Sequence, residues 1–190
     1  MSVYYIGNYS SEVDCDSIVQ QIKNQEGHYK TSAKPYGDNM QLSPELTDEA
    51  MSMYAAWEEA GYTKTDIIEW INYYPKKHFD DTVLNSLYKI LKIDPKNVWI
   101  SSIRPGKCVP WHWDIEDHAD DWSKEGELVR YTLYLDDSKL GHTFVVGDRA
   151  LYMIPKGDMY EWDKWNDYHL GFNCGFEQKY ILHIVGVKCR

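Results

Sequence analysis

Three His-x-Asp triplets are the residues of this chain whose types and spacing best suit them to hold a metal ion. In a β-strand, residues i and i+2 point to the same face, so the imidazole and the carboxylate of an extended triplet can contact one ion. The chain has 7 histidines and is rich in aspartate, so such triplets also arise by chance and their surroundings must decide between them. The three are His78-Phe79-Asp80, His112-Trp113-Asp114 and His118-Ala119-Asp120.

The surroundings favour the second triplet. Asp80 opens the segment DDTVLNSLYKILKI, whose apolar residues recur at helical spacing, so Asp80 is expected to cap a helix. The third triplet lies in the acidic segment DIEDHADDWSKEGE, which is typical of a solvated loop or lid. His112 and Asp114 instead follow ISSIRPGKCVPW, which predicts a strand and a turn. A hydrogen-bonded pair at the end of a strand is the alternative for these two residues.

The secondary structure that must position these residues is predicted to change near residue 95, from helices to short strands. Before it, four segments predict helices: SEVDCDSIVQQIKNQ with Ser11 or Asp14 as its cap, SPELTDEAMSMYAAWEEAGY, KTDIIEWINYYP and DDTVLNSLYKILKI. After it, short apolar or aromatic runs separated by Gly, Asp and Pro are typical of an antiparallel sandwich or barrel. No Gly-, Ser- or Pro-rich linker divides the chain, so we expect one domain, with a mostly helical support region at 1–95 and a β core at 96–190.

Two residues near the end of the chain extend the second triplet. A site made of two histidines and one carboxylate needs a histidine from a distant strand, and His169 lies just before the last predicted strand. Lys179 follows ten residues later, at the start of that strand. A cation at this position could pair with the far carboxylate of an acid that chelates the metal through its other end.

The order of these residues resembles the Fe(II)- and 2-oxoglutarate-dependent dioxygenases, over roughly residues 97–188. RPGKCVPWHWD, with HLGFN and KYILHI, looks like the PG-x-x-x-P-x-H and H-x-x-x-N segments of aspartyl/asparaginyl β-hydroxylases. RYTLYLDD, then GHTF and PKGD, looks like the R-x-T-x-x-L strand and the G-x-T-x-F segment of prolyl hydroxylases. The resemblance implies a mainly β protein whose core is a double-stranded β-helix, a jelly roll of the cupin type, with the helical N-terminal half packed against it.

The resemblance also implies the cofactors and the residues that hold them. His112, Asp114 and His169 would bind Fe(II), leaving positions for 2-oxoglutarate and dioxygen. Lys179 would pair with the 5-carboxylate of 2-oxoglutarate. The activity implied is the hydroxylation of an amino-acid side chain, free or within a peptide or protein. A cupin-like protein with other metal chemistry and a non-enzymatic β-sandwich binding module are the alternatives; Lys179 argues against the first, which needs no 2-oxoglutarate clamp.

Further residues are expected around this centre. On LVRYTLYL, strand alternation puts Arg130, Thr132 and Tyr134 on one face, which by resemblance lines the barrel and contacts the co-substrate. A surface ion pair is the alternative for Arg130, and core packing is the alternative for Tyr134. The residues expected on the substrate side or behind the metal ligands are Trp113, Asn173 and His183; a turn position for Asn173 and a core position for His183 are the alternatives.

Two positions depart from the family pattern. Many relatives have Ser or Thr two residues after the final basic residue, whereas this chain has Ile181. The aspartyl/asparaginyl branch often lacks the metal-binding acid, whereas this chain has Asp114. The branch and the substrate therefore stay open.

Composition and the absence of certain segments indicate which classes of partner and which cellular location to expect. A net charge of −10 disfavours nucleic acid, because phosphate binding needs a basic surface. We expect a small-molecule, peptide or protein substrate. The acids that follow Asp114 are compatible with a basic substrate, and a plain solvated loop is the alternative. No apolar run approaches the roughly 20 residues of a membrane span, and the first residues lack the basic and apolar regions of a secretory signal. The four cysteines have no CxxC spacing, so we expect free thiols in the cytoplasm.

Overall fold

The computed structural model describes residues 3–31, 44–116 and 118–189. The helices in these residues are α1 (Cys15–Ile22), α2 (Pro44–Glu59), α3 (Asn85–Leu91) and α4 (Ala119–Glu125), with 3-10 turns at Tyr62–Lys64 and Asp81–Leu84. The strands are β1 (Val3–Asn8), β2 (His28–Thr31), β3 (Glu69–Tyr73), β4 (Ile93–Ile103), β5 (Lys107–His112), β6 (Leu128–Tyr134), β7 (His142–Val146), β8 (Arg149–Tyr152), β9 (Asp158–Trp162), β10 (His169–Asn173) and β11 (Lys179–Lys188).

The strands form two sheets with antiparallel pairing between neighbours. The larger sheet has the order β1-β9-β6-β11-β4-β3-β2, and the smaller has the order β5-β10-β7-β8. From β4 onward the chain crosses repeatedly between the two sheets, so that β5 and β10 lie in one sheet while β4, β6 and β11 lie in the other. This winding is a double-stranded β-helix, and it confirms the mainly β fold predicted from the sequence.

The helix predicted for KTDIIEWINYYP is wrong, because this segment contains β3. Residues Glu69–Tyr73 pair with β4 on one side and with β2 on the other, and Trp70 through Tyr73 are buried. The periodicity of a short apolar run does not distinguish a buried strand from a helix. This segment is a strand because it pairs with the open edge of β4. The N-terminal region therefore adds β1, β2 and β3 to the larger sheet beside its helices.

The predicted helix starts at Asp14 and Asp80 are confirmed. The Asp14 carboxylate accepts a hydrogen bond from the backbone N–H of Ser17 and caps α1. The Asp80 carboxylate accepts from the N–H of Thr82 and caps a 3-10 turn that leads into α3. Each carboxylate satisfies a backbone donor that would otherwise have no partner.

The alternating side chains of β11 show that the two faces of the larger sheet have different surroundings. Tyr180, Leu182 and Ile184 belong to the main core cluster, where α1 and α3 pack against the sheet. Lys179, Ile181 and His183 point the other way and line a cavity between the two sheets. Since neighbouring residues of a strand face opposite sides, a helix-covered core and a cavity can share one strand.

All four cysteines are free thiols, as predicted. Among the helices that the structure describes, none is long and apolar enough to cross a membrane.

Candidate active site

Three side chains with metal-binding groups meet between the sheets. His112 ends β5 and His169 begins β10, and the two residues are direct register partners with ring centroids 4.1 Å apart. The Asp114 carboxylate lies 3.8 Å from Nε2 of His112 and 3.6 Å from Nε2 of His169. One ligand atom from each residue lies within 4.8 Å of the others. Two imidazoles and one carboxylate on one side of a shared point are the donor set of non-haem Fe(II) sites.

Backbone carbonyls fix the orientation of both imidazoles. Nδ1 of His112 donates to the Pro110 carbonyl at 2.7 Å, and Nδ1 of His169 donates to the Asp167 carbonyl at 3.0 Å. With the ring proton on Nδ1, each Nε2 keeps its lone pair for a metal. Burial, together with the neighbouring His112, lowers the pKa of His169 well below its usual value, so the neutral imidazole persists.

The other two triplets lie outside this cluster. His78 is buried, and its Nδ1 accepts a hydrogen bond from the Tyr74 backbone N–H at 2.9 Å. His118 is exposed and precedes α4, whose first turn contains Asp120. The segment expected as a loop is therefore helical from Ala119, and acidic residues in the first turn favour that helix through its dipole.

Arg130 holds the carboxylate of Asp114. Its side chain is 1% exposed, and its Nη1 donates to Oδ2 of Asp114. Its guanidinium carbon lies 3.9 Å from the Trp162 ring centroid and 5.0 Å from that of Trp99. Burial alone would raise the pKa of Asp114, but Arg130 and the nearby histidines outweigh it and hold that pKa far below its usual range. Arg130 therefore lies on the cavity side of β6, as expected, and the alternative of a surface ion pair is wrong, because its pair with Asp114 is buried.

Lys179 is a buried cation without an anionic partner among the residues that the structure describes. It is 3% exposed, and its Nζ donates to the Thr143 carbonyl at 2.8 Å and lies 5.3 Å from the Phe144 ring centroid. Burial lowers the pKa of Lys179 to about 7. A carboxylate that entered the cavity would compensate for that burial.

One cavity contains both the metal-binding cluster and Lys179. The space between its walls, with the open solvent at its mouth included, is about 1050 Å³. The cavity-facing residues of three neighbouring strands form its floor, because alternate side chains of each strand point the same way. They are Trp70 and Asn72 of β3, Asn97, Trp99, Ser101 and Ile103 of β4, and Lys179, Ile181 and His183 of β11.

The other expected residues divide between the cavity and its support. His183 and Trp113 line the cavity. Thr132 lies behind His183, 3.4 Å from its Nδ1, and accepts a hydrogen bond from Nε1 of Trp162 at 2.8 Å. Tyr134 packs in a buried apolar cluster with Tyr160, and its hydroxyl has no hydrogen-bond partner among the described residues.

Asn173 has a local structural role. Its amide donates to the carbonyls of Ile103 at 2.9 Å and Glu177 at 2.7 Å, and its oxygen accepts from the N–H of Gly175 at 2.9 Å. The side chain is fully buried and shapes the turn before β11.

Sequence reasoning missed one wall of the cavity. Trp70, Asn72 and Tyr74 line it from β3 and the residue after it, and Trp57 lines it from α2. The i, i+2 spacing of Trp70, Asn72 and Tyr74 would have indicated a shared face had the segment been interpreted as a strand. The α2 contribution has no comparable signal in the sequence.

No protein-family model and no curated protein matches this chain. Solved structures that resemble it include viral collagen prolyl hydroxylase vCPH from Paramecium Bursaria Chlorella virus-1 in a 2OG complex, with 14% identity over 98% of this chain and 96% of that chain and a TM-score of 0.49. A Pseudomonas putida prolyl-4-hydroxylase shows 13% identity over 93% and 99%, with a TM-score of 0.42. The α-ketoglutarate-dependent epimerase SnoN shows 10% identity over 92% and 83%, with a TM-score of 0.46.

Proposed function

We propose that this protein is an Fe(II)- and 2-oxoglutarate-dependent dioxygenase that hydroxylates an amino-acid side chain, free or within a peptide or protein. The observation that carries the proposal is the presence of Lys179 in the same cavity as His112, Asp114 and His169. A metal centre alone fits many reactions. A buried ammonium facing the same space adds a site for the far carboxylate of a metal-chelating diacid, and 2-oxoglutarate is such a diacid.

Each side chain has a defined part in this scheme. His112, Asp114 and His169 would hold Fe(II), which together with 2-oxoglutarate and dioxygen supplies the oxidising chemistry. The balanced reaction converts substrate C–H, 2-oxoglutarate and dioxygen into C–OH, succinate and carbon dioxide. Arg130 keeps the Asp114 carboxylate in place through a charge-assisted hydrogen bond. The apolar rings that line the cavity exclude water from the reacting groups.

The two alternative functions fit Lys179 less well. A cupin-like isomerase or thiol dioxygenase needs a metal centre but has no use for a second anion clamp. A β-sandwich binding module has no use for two imidazoles whose Nδ1 atoms are bonded so that both Nε2 atoms face one carboxylate. Burial lowers the pKa of Lys179 to about 7, and a carboxylate ligand beside its Nζ would favour the charged form.

We further propose that all 190 residues act as one oxygenase domain in the cytoplasm. The cavity takes its walls from α2 and β3 as well as from the β-helix, which supports a single unit. The four free thiols support a reducing compartment.

An anaerobic titration tests the proposed function. Fe(II) and then 2-oxoglutarate are added to the protein, and the visible charge-transfer band of the chelate is followed. We expect the band with the parent chain and with His118→Ala, and no band with His112→Ala. Lys179→Met should keep metal affinity and lose roughly tenfold to a hundredfold in 2-oxoglutarate affinity, since a charge-assisted hydrogen bond contributes about 1.5–3 kcal/mol. A parent chain that binds Fe(II) without forming the band with 2-oxoglutarate would overturn the proposal.

A further inference from the structure

The β3 wall of the cavity lies apart from Lys179. Ser101 of β4 pairs with Asn72 of β3, whereas Ile103, two residues further along β4, pairs with Lys179 of β11. Neighbouring strands are about 4.8 Å apart, so β3 and β11, which flank β4, are about 10 Å apart. Asn72 and Lys179 both line the cavity. The β3 wall can therefore contact a different molecule from the one that Lys179 binds.

The polar groups of this wall form a chain of hydrogen bonds that runs in one direction. An indole Nε1 only donates, and that of Trp99 donates to Oγ of Ser101 at 3.1 Å. Ser101 Oγ donates in turn to Oδ1 of Asn72 at 3.0 Å. These two bonds fix the amide of Asn72, with its oxygen towards Ser101 and its Nδ2 towards Tyr74. The chain therefore begins at an indole and ends in hydrogen-bond donors.

The donors at the end of this chain lack good acceptors. Asn72 is 5% exposed, and its Nδ2 donates to the hydroxyl oxygen of Tyr74 at 3.5 Å. That distance is at the limit of a hydrogen bond, and it uses one of the two N–H bonds. Because the Tyr74 oxygen accepts from this N–H, its own O–H bond points elsewhere and has no acceptor among the residues that the structure describes. An oxygen atom of a ligand in the cavity would accept from both side chains.

The charges of the lining favour an uncharged oxygen over a carboxylate. Among the described residues, the lysine and arginine side chains that line the cavity are Lys179 and Arg130. Arg130 is bonded to Asp114, and Lys179 lies at the end proposed for the diacid. Glu116 adds a further negative charge to the lining. A carboxylate on the substrate would therefore lack a cation in this part of the lining, whereas an amide oxygen needs only N–H and O–H donors.

Flat aromatic rings lie on both sides of the Asn72–Ser101 pair. Trp70 is two residues before Asn72, and Trp99 is two residues before Ser101. Because β3 and β4 are antiparallel, these two residues lie on opposite sides of the pair, and both line the cavity. The space above the pair is thus bounded by flat surfaces, which a planar group can pack against.

We propose that the β3 wall binds an amide carbonyl group of the substrate, with Asn72 and Tyr74 as the residues that recognise it. The proposal rests on the function proposed above and narrows its substrate to compounds that contain an amide. A residue within a peptide has an amide in its backbone, and asparagine and glutamine have one in the side chain. Other free amino acids have none.

Two-dimensional proton–nitrogen NMR measures binding of small amides without turnover. The protein is loaded with Zn(II) and 2-oxoglutarate. The side-chain amide signal of Asn72, identified by its loss in Asn72→Asp, reports contact, and the indole signals of the lining tryptophans report occupancy in every variant. The probes are N-acetylglycine N-methylamide for a peptide backbone, propanamide for a side-chain carboxamide, and propanoate, which has the shape of propanamide and a negative charge.

We expect the amides to shift the Asn72 signal, and propanamide to bind roughly tenfold more tightly than propanoate. The tighter of the two amides identifies the source of the carbonyl, backbone or side chain. Propanoate binding as tight as that of propanamide, or binding by neither amide, would overturn the proposal.

Two variants and one control assign the effect to the donor pair. Asn72→Asp keeps the acceptor for Ser101 and replaces only the donors. It should weaken amide binding roughly tenfold and bind ethylammonium more tightly than the parent chain does, which a misfolded protein would not do. Tyr74→Phe should weaken amide binding roughly threefold to tenfold. Asn85→Asp makes the same exchange at an exposed position of α3 and should change neither affinity. Unchanged amide affinity in Asn72→Asp would contradict the assignment.

The outcome is separable from that of the proposed function. If the charge-transfer band forms but no amide binds at Asn72, the oxygenase stands and the amide site falls. If amides bind in an Asn72-dependent way but no band forms, the amide site stands and the proposed chemistry falls.

Discussion

Replacement of Lys179 by Met tests whether burial in the cavity lowers the pKa of the Lys179 side chain. The side chain is 3% exposed, and burial lowers its pKa from 10.5 to about 7. Between these two values the unfolded chain binds a proton that the folded chain does not. The free energy of unfolding of the parent chain should therefore rise with pH from about 7 to about 10.5, and this gain should be lost again as pH falls from about 10.5 to about 7.

The magnitude follows from the proton linkage. One proton released on folding changes the free energy of unfolding by about 1.4 kcal/mol per pH unit. Between pH 7.5 and 9.5 the parent chain should gain about 2.7 kcal/mol relative to Lys179→Met, which has no proton to release at this position. Other titrating groups are common to both chains and cancel in the difference.

Urea unfolding at pH 7.5, 8.5 and 9.5, without added diacid, measures this difference. Parallel stability curves for the two chains would refute the assignment of a lowered pKa to Lys179. The affinity for 2-oxoglutarate should change in the opposite direction, because the diacid needs the protonated ammonium. Its affinity for the metal-loaded parent chain should fall by up to roughly tenfold per pH unit above about 7, whereas Lys179→Met should bind weakly at every pH.

Three further changes have defined outcomes. In equilibrium dialysis with Ni(II) or Zn(II), His112→Ala should lose most of the metal affinity and His118→Ala should keep it; the reverse would assign the site to the wrong triplet. Arg130→Met should lower the free energy of unfolding of the metal-free protein by about 3–5 kcal/mol, because it leaves the Asp114 carboxylate buried without its cation, and Zn(II) should restore part of the loss. A loss that Zn(II) does not reduce would argue for packing against tryptophan instead. The last change neutralises four acids: Glu116, Asp117, Asp120 and Asp121. It should slow 2-oxoglutarate turnover with basic peptides at low salt and matter little at high salt, and stimulation by acidic or neutral peptides alone would exclude the idea. Asp117 lies outside the described residues.

The sequence by itself determined the features that depend on near neighbours. Spacing of i and i+2 placed the imidazole of His112 and the carboxylate of Asp114 within reach of each other, and the surroundings selected this triplet over the other two. Capping by Asp14 and Asp80 was predictable for the same reason, since a capping side chain bonds to an N–H only two or three residues away. The turn residues and short β-branched runs after residue 95 predicted an antiparallel sandwich or barrel there, and the resemblance to the dioxygenases implied the mainly β fold.

The tertiary structure decided what depends on register and on partners far along the chain. His169 meets His112 only because β10 pairs with β5 in that register, and a shift by one residue would turn the ring to the other face. Arg130 and Tyr134 share the parity of one strand, yet Arg130 contacts Asp114 while Tyr134 packs in an apolar cluster. Alternation predicts on which face of a strand a side chain lies. The residues that pack against that side chain belong to other elements, which alternation does not predict.

The β3 segment shows most directly a feature that the tertiary structure decided and the local sequence did not. Its apolar residues are compatible with a helix or a strand, and local propensity does not decide between two conformations of similar free energy. The edge of β4 supplies a row of backbone donors and acceptors, and pairing with it makes Glu69–Tyr73 a strand. That pairing places Trp70 and Asn72 in the cavity, so one wall of the candidate site follows from hydrogen bonds that no local pattern encodes.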